Sequence, residues 1–241
     1  MERLVYDRMR GLEQRHWWFV GRRAILSRLI GDLPLPRQAR LLEAGCGVGG
    51  NIEMLSRFGR LEALEPDAPS RAYVAERYGL TPQDGRLPDG LPYSPRSFDA
   101  VFALDVVEHV EDDRSAVAAL AELVAPGGFL VLTVPAYNWM WSAHDLAHHH
   151  KRRYTRARLA ALLDGSGLTW VKLSYFNTLL FPLAALVRLG RRCLGLGGQD
   201  DAMPPAGLNG AMTALFASEA GWLRQAGLPF GLSIVGIARR G

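Results

Sequence analysis

Apolar positions along the chain follow two periods, and the switches between them mark the elements. Before Leu33, apolar residues fall at helical spacing (Leu4, Val5, Met9, Leu12, then Ile25, Leu26, Leu29 and Ile30), which predicts one or two helices that Pro34 and Pro36 end. Short apolar runs then predict strands: one reaching Glu43, a second over Leu61–Asp67, a short third near Leu80, a fourth within Leu91–Val110, a fifth within Leu123–Pro135, a sixth at Thr169–Tyr175 and a seventh at Ser233–Ala238. Between them, helical spacing returns after Gly50 and Asn51 (Ile52, Met54, Leu55), at Ser70–Tyr78, at Asp113–Val124 and at Thr155–Leu163, where Thr155 is an N-cap residue. Strands that alternate with helices imply an α/β fold around a parallel sheet.

With 241 residues and 49% hydrophobic content, the chain can bury the core of one domain of this class. The pattern divides it into an N-terminal helical lid (1–33), a core (38–175), a helical insertion (176–228) and a final strand (229–241). The net charge of +4 comes almost wholly from arginine, since Lys151 and Lys172 are the only lysines. There is no basic tail or RNA-binding appendage, so a nucleic-acid partner is disfavoured. Cys46 and Cys193 make no disulfide framework and fit a reducing compartment. The opening MERLVYDRMRGLEQRHWWF lacks the apolar core of a signal peptide, and the expected location is the cytoplasm, with the inner face of the membrane as a peripheral alternative.

The stretch LLEAGCGVGGN at Leu41–Asn51 carries the most chemistry. Gly45, Gly47 and Gly49 allow a tight turn and a close approach of ligand to backbone, and the next helix presents free N–H groups there. Gly45, Gly47 and Gly50 also satisfy G-x-G-x-x-G, so the glycines alone do not separate a dinucleotide from S-adenosylmethionine. Glu43 does: a pyrophosphate wants N–H donors and no nearby anion, whereas a carboxylate just before the glycines suits a cationic ammonium and sulfonium. About twenty residues on, Glu65 ends the second strand, where its carboxylate can accept two ribose hydroxyls.

At these positions the chain resembles the class I S-adenosylmethionine-dependent methyltransferases. Leu41–Asn51 is similar to their first motif, Glu65 to their ribose-binding acid, LPYSPRSFDAVFALDVVEHV at Leu91–Val110 to their third and fourth strand region, and LVAPGGFLVLTVP at Leu123–Pro135 to their fifth strand. The resemblance implies a doubly wound, seven-stranded, mostly parallel Rossmann-like sheet whose antiparallel last strand inserts beside the fifth. It also implies S-adenosyl-L-methionine as cofactor, held by Glu43, Ala44, Gly45, Cys46, Gly47, Gly49, Asn51, Glu65, Pro66, Asp105 and Val106. Where many members have Gly-Asp-Ala before an apolar Leu-Pro, this chain has Gln83, Asp84, Gly85 and Arg86, and Asp84 is the expected acid near the adenine amine. The implied activity is methyl transfer to a small-molecule or lipid-linked acceptor. The alternatives are a nucleic-acid methyltransferase, for which no Asn-Pro-Pro-Tyr-type motif follows the fourth strand, and a catalytically silent cofactor-binding module.

Only an acidic nucleophile needs a base for this reaction. His150, in HKRRYTRARL, resembles the histidine that many small-molecule methyltransferases carry before a Tyr-Thr helix entry, and it is the first choice as base. His109, in DVVEHV, falls past the carboxyl end of the fourth strand and is the second. For each, a hydrogen-bonded structural histidine is the alternative. The cluster His144, Asp145, His148, His149 and His150 also has metal-ligand chemistry, but consecutive imidazoles should diverge, and no metal is expected. Trp17, Trp18 and Phe19 together with Tyr137, Trp139 and Trp141 are read as a roof over one pocket, touching the sulfonium through cation–π attraction, with ordinary packing as the alternative. HWWFVGRR resembles the N-terminal lid of a methyltransferase subgroup, and Arg22, Arg23, Arg152 and Arg153 are candidate partners for an anionic substrate.

Phe176–Leu194 is apolar to Val187 and then carries Arg188, Arg191 and Arg192, followed by GLGGQDDAMPPAG. The apolar run is shorter than the ~20 residues a spanning helix needs. It reads either as an interfacial segment against anionic headgroups or as one arm of a helix hairpin, with Leu208–Gln225 as the other, packed on itself or in a homodimer.

Overall fold

The computed structural model describes residues 3–193 and 202–241, with the side chains of 8–190 and 202–241. Leu194, most of the glycine-rich stretch after it, and the side chains of Arg191, Arg192 and Cys193 therefore lie outside what is described.

Two helices open the chain, α1 (Arg3–Leu12) and α2 (Trp17–Gly31). His16 caps α2, its Nδ1 accepting from the Trp18 N–H, and one side of the helix buries Ile25, Leu26, Leu29 and Ile30. The core then runs β1 (Arg40–Ala44), α3 (Ile52–Leu55), β2 (Arg60–Leu64), α4 (Ala68–Tyr78), β3 (Phe98–Leu104), α5 (Asp113–Leu123), β4 (Val124–Pro135), α6 (Ala143–Ala147), α7 (Arg156–Ala160), β5 (Leu168–Phe176), α8 (Phe181–Cys193), α9 (Ala206–Gln225) and β6 (Ser233–Arg240). The sheet order is β2-β1-β3-β4-β6-β5. β1 pairs in parallel with β2 and β3, β3 pairs in parallel with β4, and β6 lies antiparallel between β4 and β5 as the resemblance implies.

The described sheet has six strands rather than seven. The short strand expected near Leu80 is a single bridge between Leu64 and Gln83, because Pro82 and Pro88 lack the N–H donors a ladder needs. Helix starts agree with their capping chemistry: Asp67 accepts from Ser70 N–H, Asp112 from Ser115 N–H and Thr155 from Arg158 N–H.

Apolar layers cover both faces of the sheet. On one, Val117, Leu120 and Leu159 pack on Val101 and Leu132; on the other, Ile25, Leu26, Phe216 and Leu223 pack on Phe102 and Val131. The second layer corrects the hairpin expectation, because α9 packs on α2 instead of folding back on α8 alone. Gly21 makes this possible, since a Cβ there would stand 2.5 Å from the Phe216 ring. The lid is thus tied to the insertion, and Asn209 of α9 accepts from the Trp17 N–H at its start.

Candidate active site

β1 lies second in the sheet, with the edge strand β2 on one side and β3 on the other, so the loops leaving β1 and β3 part at their carboxyl ends, where open α/β sheets bind ligands. A cavity of about 1210 Å³ opens there, closed above by the lid and by α8.

The glycine loop forms its floor. Gly45 has φ +75°, and a Cβ on it would meet Val106 at 2.8 Å; Gly47 has φ +55° and open space on that side. Cys46, Asn51, Pro66 and Glu65 line the cavity. Glu65 is held in place by two backbone donors, Gly47 N–H at 2.8 Å and Asp67 N–H at 3.0 Å. Asp67, which the sequence did not single out, lines the same wall.

Glu43, Ala44, Gly49 and Asp84 do not line the cavity. Glu43 is buried behind Asn51, whose Nδ2 donates to its Oε1 at 2.7 Å, while its Oε2 has no partner. Burial pushes its pKa up to about 8, against the opposing hydrogen bond from Asn51 and the charge of Arg22. Gly49 is occupied by packing, its Cβ position lying 2.6 Å from the Tyr78 ring. Asp84 is exposed and paired with Arg71 at 3.0 Å.

Asp105 takes a left-handed φ of +60° at the end of β3, a conformation that costs a non-glycine residue and recurs at binding sites. Its Oδ2 pairs with Arg22 Nη1 from the lid, and the same guanidinium donates to Asn51 Oδ1 at 3.3 Å and lies 4.6 Å from the Trp18 ring. A buried cation beside a carboxylate complements an amino-acid zwitterion, and with the bare Gly47 edge it fits the methionine end of S-adenosylmethionine. Arg22 was legible only as one of four candidate anion binders. Of the others, Arg153 and Arg152 are consumed by ion pairs with Asp145 and Asp113.

The opposite end is the histidine cluster. His109 closes a short 3-10 turn after β3, and His150 returns after α6, their rings 4.6 Å apart and edge to face. Asp145 is fully buried and grips both His150 Nδ1 (2.8 Å) and Arg153 (Nε and Nη2, each 2.8 Å). Burial drives the pKa of His109 down to about 3, helped by the charges of His150 and His148; burial also lowers that of His150, against the pull of Asp145. Both imidazoles are therefore neutral at neutral pH. The expectation that consecutive histidines diverge holds for His149 alone. His144 and His148 sit one turn apart and stack at 4.0 Å, and a left-handed φ of +55° at His149 turns the chain so that His150 rejoins them. The aromatic roof is half present: Trp17, Trp18 and Phe19 line the cavity, whereas Tyr137 and Trp139 pack with Phe181 outside it.

Two expected results follow from this geometry. If Glu65 accepts the ribose hydroxyls, Glu65→Ala is expected to weaken S-adenosylhomocysteine binding by roughly 1–3 kcal/mol in calorimetry. Glu13 of the lid is buried against the Gly50 N–H, with Arg22 and Arg23 of α2 and the Glu43 carboxyl of β1 facing it, and burial raises its pKa from 4.5 to about 7. A raised carboxyl pKa favours the fold while protonated, so its contribution is complete below pH 4.5 and lost as pH rises through about 7. Thermal melts should therefore show wild type losing stability relative to Glu13→Gln between pH 5 and pH 8.

Comparison with known proteins agrees with the geometry. Residues 16–173 match the family model described as a methyltransferase domain. A "Probable S-adenosylmethionine-dependent methyltransferase" of Mycolicibacterium smegmatis is 28% identical over 161 residues, covering 65% of this chain and 61% of that protein. A ubiquinone biosynthesis O-methyltransferase of Methylocella silvestris is 41% identical over 98 residues, 38% of each chain. The chain thus spans less than two thirds of the length of these relatives. Among solved structures, the methyltransferase bound to the Haloferax volcanii Trm112 activator has the same fold, with a TM-score of 0.64 at 16% identity over 97% of this chain and 93% of that one. The chain belongs to the methyltransferase domain family.

Proposed function

We propose that the protein transfers a methyl group to an oxygen atom of a small-molecule or lipid-linked acceptor, with His150 as the activating residue and His109 beside it. The observation that carries this reading is the 2.8 Å contact between Asp145 and His150 Nδ1. Asp145 is already paired with Arg153 and so remains an acceptor, which places the hydrogen on Nδ1 and leaves the Nε2 lone pair available. When bound, S-adenosylmethionine supplies a methyl carbon activated by sulfonium charge. The residues of the chain then align the acceptor, exclude water and deal with its proton. As the acceptor oxygen bonds to the methyl carbon, the carbon–sulfur electron pair returns to sulfur, and His150 Nε2 takes the hydroxyl proton when nothing else holds that lone pair. An amine would need no such group. The O-methyltransferase activity named for the ubiquinone-pathway relative is consistent with an oxygen acceptor.

The lipid-linked option rests on α8 and its surroundings. Leu180, Leu183, Ala184, Val187 and Met212 give the cavity an apolar wall, and Leu186 and Leu189 of the same helix face outward. Among the described residues no helix is long and apolar enough to cross a membrane, so membrane contact would be interfacial. Co-sedimentation with anionic vesicles is expected, weakening with salt; no binding to any vesicle would favour a water-soluble acceptor.

Incubation with methyl-labelled S-adenosylmethionine and a panel of phenols, enols, carboxylic acids and amines, with lipid extracts included, tests the proposal. Label is expected in methyl ethers or esters, and exclusive labelling of amines would overturn the oxygen assignment.

A further inference from the structure

The histidine cluster contains more donor chemistry than a proton acceptor requires. One ligand atom each from Glu108, His109 and His150 lies within 4.8 Å of the other two, and His144, His148 and His150 meet the same condition. Glu108 is wholly buried, and neither of its oxygens has a hydrogen-bond partner apart from its own backbone N–H. Its nearest charges are another anion, Asp105, and the guanidinium groups of Arg22 and Arg153, which are engaged with Asp105 and Asp145. A buried carboxyl with no partner is a costly arrangement, and this one faces the cavity beside two imidazoles.

We propose that Glu108, His109 and His150 hold a divalent cation at the acceptor end of the cavity. Both imidazoles are already oriented for this. His150 is fixed through Nδ1 by Asp145, and the His109 ring donates to the backbone of His148, so each has its second ring nitrogen tied by an outer partner, as histidine ligands of metals usually do. Two imidazole nitrogens and one carboxylate oxygen suit zinc, iron(II), cobalt or manganese. Three protein ligands leave coordination positions open, the mark of a site that binds a reactant rather than one that only braces the fold. His144 and His148 stand next to this set through their contact with His150.

The consequence for the reaction rests on the oxygen-acceptor reading. With the cation bound, the His150 lone pair goes to the metal, the acceptor hydroxyl coordinates at an open position, and its lowered pKa lets the proton leave to solvent through the cavity mouth. The oxygen then attacks the methyl carbon and the carbon–sulfur pair returns to sulfur, as without the cation.

The test uses the full chain, free of any histidine tag and stripped with a chelator, titrated with Co2+ and followed by visible absorption, then competed with Zn2+. One equivalent of Co2+ is expected to give ligand-field bands that Zn2+ abolishes. Glu108→Gln and His109→Ala should each lose the bands while still binding S-adenosylhomocysteine, which shows that they fold. Asp145→Asn, which changes the outer partner of His150 and also removes the charge facing Arg153, should weaken Co2+ binding by ~10- to 100-fold while S-adenosylhomocysteine still binds. Absence of any cobalt band, or bands that survive both Glu108→Gln and His109→Ala, would overturn the proposal. A cobalt site in an enzyme that methylates only amines would leave the cation standing and sink the oxygen reading instead.

Discussion

Asp145→Ala is expected to lower the unfolding free energy by roughly 3–5 kcal/mol, the usual cost of stranding one partner of a buried ion pair. Asp145 is fully buried and both of its oxygens are engaged, with Arg153 Nε and Nη2, His150 Nδ1 and the Ser142 N–H that closes a capping box at the start of α6. Arg153 is itself only 4% exposed, and without Asp145 its guanidinium keeps one bond, to the Ala136 carbonyl at 3.2 Å. For a chain of this size the loss corresponds to a fall in Tm of about 6–20 °C. Thermal unfolding by circular dichroism measures it. Asp145→Ala combined with Arg153→Met should recover much of the loss, because the second change removes the stranded charge; equal destabilisation of the single and double variants would show that the ion pair is not the cause.

His150→Ala is expected to lower kcat by ~10²-fold or more on an oxygen acceptor, while S-adenosylhomocysteine affinity changes little. The two effects separate because the His150 side chain contacts Asp145 and the neighbouring imidazoles rather than Glu65, Asn51 or Arg22. His109→Ala should act in the same direction. Unchanged turnover in both variants at neutral pH would make the pair structural and the acceptor self-activating.

The local chemistry of the cofactor side was legible because it depends on neighbours in sequence. The strand, the glycines and the acid at the end of β2 place Gly45, Gly47 and Glu65 with no help from distant segments. What depended on tertiary packing was not legible. Arg22 reaches Asp105 across 83 residues, and nothing local marks it out from Arg23, Arg152 or Arg153. Glu43 keeps the expected residue type but lies one layer behind the wall, since Asn51 of the following helix start stands in front of it. Glu108 carried a signal that was passed over, an acid in an otherwise apolar turn next to His109. The histidines were misjudged in direction because a single left-handed residue, His149, reverses the chain between His148 and His150. The short third strand near Leu80 failed for a local reason that proline spacing could have shown, whereas the docking of α9 on α2 through Gly21 and Phe216 joins segments nearly two hundred residues apart.

In the proposed complex the cavity above Gly45 and Gly47 binds S-adenosylmethionine with its ribose on Glu65 and its methionine end at Asp105, Asn51 and Arg22. Calorimetric titration of the purified chain with S-adenosylmethionine, S-adenosylhomocysteine and NAD tests it most directly. Saturable one-to-one binding of the first two is expected, with weaker binding or none for NAD, whose pyrophosphate would approach the Asp105 carboxylate; tighter binding of NAD than of S-adenosylmethionine would contradict this.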